Sequence, residues 1–107
     1  VGTSSPRVIA TRRLAYAFKD DPTRRAFTVR LHEPLIVEPG SVDFDVSGWT
    51  SGCLMSFDGL DEKEWVTYGA DEVQAVELAI QHMEDHLRRL SKKYDLYFDD
   101  GEPYFED

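Results

Sequence analysis

A single cysteine, Cys53, stands in 107 residues, so an intramolecular disulfide is excluded. A reducing, cytoplasmic home is the natural expectation, and Cys53 itself reads as a small buried hydrophobe. Long hydrophobic runs are also missing: the longest apolar stretch is only a few residues, too short for a membrane-spanning helix. No secretory leader is visible at the start. The chain begins Val-Gly-Thr-Ser-Ser-Pro, which reads as a trimmed start that leaves room for a leader or a domain upstream, and residues 1–7 are expected to be disordered. Positive charge is scarce, with 12 Lys and Arg against 21 Asp and Glu and a net charge of −9. Such a field repels phosphate backbones and attracts basic proteins, so nucleic-acid binding is disfavoured. There is no glycine-rich phosphate loop and no nucleophile elbow, no Ser-His-Asp constellation can be picked out, and no cofactor is expected.

What is present suffices for one ordinary domain. A chain of this length buries roughly 65% of its unfolded surface without needing a disulfide or metal. Apolar residues make up 41% and charged residues 31%, which is not a disordered composition. The charge is unevenly spread. Residues 1–32 hold seven cations and two acids, a net of +5, whereas residues 33–107 hold five cations and nineteen acids, a net of −14.

Strand signals fill the first two thirds. Residues 8–18 and "RRAFTVRLH" both alternate apolar with polar side chains, and "KDDPT" between them is a turn, so the pair predicts a β-hairpin. Pro34 and Pro39 mark "EPLIVEPG" as a loop or irregular edge. In "SVDFDVSGW", Val42, Phe44 and Val46 oppose Asp43 and Asp45, a period of two that predicts a half-buried strand. Gly48 and Gly52 beside Trp49 suggest a bend or bulge, and Trp49 and Trp65 are expected in the core or on a sheet face. "CLMSF" and "EWVTY" read as strands joined by the turn "DGLDEK".

At Gly69 the period changes to that of a helix. Asp71 is an N-cap candidate, and Gln74 stands where a capping box needs it. Acids crowd the start and Arg88, Arg89, Lys92 and Lys93 the end, matching the helix dipole. Val73, Val76, Ile80, Met83, Leu87 and Leu90 form the predicted apolar stripe, flanked by Ala75 and Ala79. Leu78 falls on the opposite side, a candidate contact on the outer face. The expected fold is α+β: a two-layer domain in which one long helix packs on an antiparallel sheet of four to five strands.

The last thirteen residues, "DLYFDDGEPYFED", hold six carboxylates and four aromatic rings and no Lys or Arg. So many rings are not left in water, and Asp100-Gly101 signals a turn. Segment 95–107 is therefore expected to fold back, rings docked and carboxylates outward. Asp99, Asp100, Glu102, Tyr97 and Tyr104, with Asp58 and Asp61, are the candidate partner-binding residues.

The competing chemistry is thinner. His82 and His86, spaced i and i+4, are the candidate metal pair. The residue after the first is Met83 and the one before the second is Asp85, where zinc-protease helices carry Glu. Ordinary surface histidines are expected instead. "DLYFDDGE" lacks the ligand alternation of a calcium loop.

The stretch Gly69-Ala70-Asp71-Glu72-Val73-Gln74-Ala75, continuing to Ala79, resembles a G-x-D-x-x-Q-A helix start found in small bacterial domains of unknown function. Similar architectures occur among immunity proteins of bacterial toxin systems. The resemblance covers about a dozen residues, implies the sheet-plus-helix fold and carries over no catalytic residues. It suggests a non-enzymatic, cytoplasmic, acidic protein-binding domain, immunity- or antitoxin-like, that occludes a basic partner. The alternatives are an accessory domain that oligomerises, for example as a homodimer, or binds a small ligand, and a small metal-dependent hydrolase using His82 and His86.

Overall fold

A computed structural model describes residues 6–46 and 48–105. It is an α+β fold with one antiparallel sheet of six strands and a single helix. The elements are β1 (Val8–Phe18), β2 (Arg25–His32), β3 (Leu35–Ile36), β4 (Ser51–Asp58), β5 (Trp65–Gly69), α1 (Glu72–Leu90) and β6 (Tyr94–Phe98). The count exceeds the expected four to five because a two-residue strand forms between the prolines and the C-terminal segment supplies another. Residues 1–5, most of the segment expected to be disordered, lie outside the described residues. Pro6 and Arg7 are tied to the β2 end: His32 Nδ1 donates to the Pro6 carbonyl at 2.9 Å, and the Glu33 amide to the Arg7 carbonyl at 2.7 Å.

The predicted hairpin forms with Leu14 opposite Phe27 and Arg13 opposite Thr28. β4 faces Leu31 with Met55 on one side and Trp65 on the other. Leu35 of β3 meets Gly52 while Tyr68 lies on that residue's far side, so β2 and β3 share one edge of β4. Across the sheet the order is β5, β4, β2 with β3, β1, β6. The helix leaves the end of β5 and returns the chain to the far edge, beside β1.

This register places Leu14, Tyr16, Phe27, Val29, Leu31, Cys53, Met55, Tyr94 and Leu96 on one face. They form the core cluster together with Ala75, Ala79, Met83, Leu87 and Leu90 of α1. Cys53 is fully buried, as its composition reading expects, and its Sγ donates to the His32 carbonyl at 3.3 Å.

The helix begins at the predicted cap, Asp71, though the Gln74 side chain reaches one residue further back than a capping box requires. Asp71 Oδ1 accepts from the Gln74 amide at 2.8 Å, and Gln74 Oε1 accepts from the Ala70 amide at 2.6 Å. Its buried face keeps Met83, Leu87 and Leu90 of the predicted stripe and departs from it toward the N-terminus. Val73 is 77% exposed and Ile80 47%, whereas Ala75 and Ala79 are fully buried and Leu78 is half-buried. The cause is a close approach. A Cβ on Gly69 would collide with the Ala75 nitrogen, so the first turns of α1 lie against the end of β5 with only small residues between. Contact through the smallest side chains rotates the larger ones outward.

Two further expectations fail. Residues 42–46 form no strand; the chain bends there. Both edges of β4 are already taken by β5 and by β2 with β3, so an alternating segment at this place has no free neighbour there. Phe44 instead packs edge-on against Tyr68 at 5.0 Å, on the sheet face away from the core. Trp49 is not in the core: it sits in a turn and is 70% exposed. Trp65 is half-buried against the core, as expected.

Candidate functional site

The C-terminal segment is built by a turn. The Gly101 amide donates to the Phe98 carbonyl at 2.9 Å, and the Phe98 amide to the Glu102 carbonyl at 2.7 Å. Gly101 takes φ 94°, the left-handed conformation that glycine adopts without steric cost. Asp100 Oδ1 closes the loop by accepting from the Glu102 amide at 3.0 Å. Beyond the turn the chain doubles back along β6, with Pro103 bridged to Tyr97 and the Tyr104 amide donating to the Leu96 carbonyl at 2.9 Å.

The two tyrosines of the segment anchor it. Arg12 Nη1 donates to Glu84 Oε1 at 2.8 Å and to the Tyr104 hydroxyl oxygen at 2.6 Å, while that hydroxyl donates to Glu84 Oε1 at 2.6 Å. Strand, helix and tail thus meet in one three-membered network. Partial burial, then the hydrogen bond to Glu84, push the Tyr104 phenol up to about 12. On the other sheet face the Arg24 guanidinium lies 3.7 Å from the Tyr97 ring centre, and its Nη1 donates to the Gly101 carbonyl at 3.2 Å. Arg88 sits 3.9 Å over the Phe105 ring.

The acids between these anchors remain free. Asp99, Asp100 and Glu102 are exposed and pair with no cation among the described residues. Asp61 is likewise exposed and unpaired. Asp58 is bound to Arg30, Oδ2 to Nη2 at 2.7 Å. Asp58, Thr28 and Arg13 form one transverse row, and β6 ends at Phe98 opposite Leu14, one step along. The Asp58 end of β4 and the acidic turn therefore flank the hairpin, about three strand spacings or ~14 Å apart. Arg13 and Arg30 lie between them. The seven acidic and aromatic candidates form two clusters around a basic hairpin, not one patch.

The loop after β4 is pinned separately. Glu62 Oε2 accepts from Lys93 Nζ at 2.8 Å and from the Tyr94 hydroxyl at 2.7 Å. These two donors hold its carboxyl below the usual range. His86, expected on the surface, is half-buried and stacks on Trp65 at 4.0 Å with an interplanar angle of 20°. Burial, and then Arg89, lower its pKa. Together with Asp61, Lys63 and Lys93, Glu62 and His86 line a cleft of about 440 Å³. His82 is exposed. Among the described residues no group of three or more His, Cys, Asp or Glu could hold a metal ion.

Sequence reasoning missed Arg12, Glu84, Arg24 and Arg30. Their partners lie 20 to 92 positions away, and no local pattern announces them. No protein-family model matches the chain, and neither curated proteins nor solved structures give a match. No helix among the described residues is long and apolar enough to cross a membrane.

Proposed function

We propose that this chain is a non-enzymatic, acidic protein-binding domain that occludes a basic partner, in the manner of a cytoplasmic immunity or antitoxin-like protein. One observation supports the reading most. The turn Asp99–Glu102 carries three exposed carboxylates that form no ion pair among the described residues, its nearest cation, Arg24, being engaged by the Gly101 carbonyl and the Tyr97 ring, while Tyr97 and Tyr104 fasten both of its flanks to the sheet and helix. Rigid acids meet a cationic surface with little ordering cost, and their field steers the encounter.

The mechanism divides the work. Asp99, Asp100 and Glu102, with Asp61 and the Asp58 end of β4, face lysines and arginines of the partner. Tyr97 and Tyr104 hold the turn in place, a positioning role rather than a buried contact. In the two-layer arrangement that this reading assumes, α1 roofs one sheet face and leaves the acidic rim open.

Affinity capture from the native host tests the proposal. The wild-type chain is expected to recover a basic protein that an Asp99→Lys, Asp100→Lys, Glu102→Lys variant loses. Recovery of the same proteins by both would refute it.

A further inference from the structure

β1 is eleven residues long, but both of its edges are covered along only part of that length. β2 pairs with Val8–Tyr16 on one edge, and β6 pairs with Leu14–Phe18 on the other. The second edge of residues 8–13 has no strand beside it among the described residues. Its outward N–H and C=O groups are a template for another strand. The side chains there include Val8 and Ile9, which are 38% and 46% exposed.

The two ends of this open edge differ in charge: Arg7 stands at one, with the Glu33 carboxylate accepting from its amide at 3.1 Å, and the acids of the turn stand at the other. At its start stands Arg7, exposed, with no partner for its guanidinium among the described residues. At its far end β6 stops at Phe98 and the turn Asp99–Glu102 begins, with three carboxylates that form no ion pair among the described residues. A strand pairing antiparallel with residues 8–13 brings its own N-terminal end to Arg13, against that turn.

We propose that the open edge of β1 pairs with the same edge of a second copy of this chain. The two-fold axis then sets Arg7 of each copy beside Asp99, Asp100 and Glu102 of the other, so the charge match is made twice. The result is a continuous sheet across a homodimer. The β-bulge between Val8 and Ala10 and the arginines of the strand are features that guard an edge against indiscriminate pairing. Arg12 is already neutralised by Glu84. A foreign strand would have to supply a cation at the position where this chain's own β1 carries Arg7. The dimer and the basic partner compete for the acidic turn, since a turn that holds Arg7 of a second copy is not open to another cation.

Sedimentation velocity across a concentration series tests it. A dimer that weakens with added salt is expected. Arg7→Glu alone, and Asp99→Arg with Asp100→Arg, should each raise the dimer dissociation constant about tenfold, because a cross-strand attraction becomes a repulsion. Combining all three in one chain restores opposite charges across the axis and should recover the dimer; circular dichroism checks that each variant is folded. A monomer at every concentration, or a dimer indifferent to the reversals, would overturn the proposal. Arg7→Glu leaves the acidic turn intact, so loss of the dimer with retained capture of a basic protein separates the two proposals. A monomeric wild type would leave the basic-partner reading standing.

Discussion

The two ends of α1 are held in opposite ways. At its start, Gly69, Ala75 and Ala79 let backbone approach backbone, and the contact contains no charge. Toward its end the helix is fastened by side chains of long reach: Glu84 to Arg12 and Tyr104, His86 to Trp65, Arg88 to Phe105, and Lys93 just beyond it to Glu62. The first kind of contact has no slack and little dependence on solvent. The second tolerates small displacements but responds to protonation. The polar end is also where the acidic turn is anchored, so stability and the proposed contact surface are coupled there.

Substitutions can break this contrast, beginning at the tight end. Gly69→Ala sets a methyl group against backbone atoms of α1 and should cost about 3 kcal/mol in urea unfolding, a typical overpacking penalty. A loss well under 1 kcal/mol would mean that the helix start can shift. Asp71→Ala removes the cap of the same turn and should cost about 1 kcal/mol. At the other end, Tyr104→Phe deletes the hydroxyl that joins Arg12 to Glu84, with a loss of about 1 kcal/mol or less. Its clearer signature is faster hydrogen exchange at the amides of Gly101 and Tyr104 than at those of α1. Val73→Ala, at a position that the sequence assigns to the core, should change stability by less than about 0.5 kcal/mol because the side chain is exposed.

Acid should loosen the polar end first. Glu62 has a depressed pKa, so its stabilising share is present above the ordinary carboxyl range and is lost as the pH falls through its folded value. His86 is also depressed: the fold favours its neutral form, and protons bind the unfolded chain more readily below about pH 6.5. Both groups therefore lower stability as the pH falls. His86→Phe should flatten the part of the pH–stability curve between its folded pKa and pH 6.5, while Glu62→Gln should flatten the more acidic part.

The fold was legible where one element dominates its own sequence. The β1–β2 hairpin follows from alternation around "KDDPT", and the helix start follows from Asp71 and Gln74. The buried face of α1 was legible in its second half, where Met83, Leu87 and Leu90 are buried, but not at its start, where hydrophobicity favours Val73 and Ile80 whereas close approach selects Ala75 and Ala79. Residues 42–46 alternate like a strand, but both edges of the neighbouring β4 are occupied, and Phe44 packs on the Tyr68 ring across the sheet face instead, a property of the sheet and not of the segment. The acidic turn was visible as a cluster of charge around Asp100-Gly101. Its anchors were not, because Arg12, Arg24 and Glu84 reach it from distant parts of the chain.

The central claim is that an anchored acidic turn meets a basic partner. It is tested most directly by stopped-flow association of the chain with the captured partner over a range of ionic strength, with and without Asp99→Lys, Asp100→Lys and Glu102→Lys. The wild type should associate more slowly as salt rises, and the triple variant should be slow at every salt concentration with a flattened dependence. Equal association rates and equal salt slopes for the two chains would contradict the account.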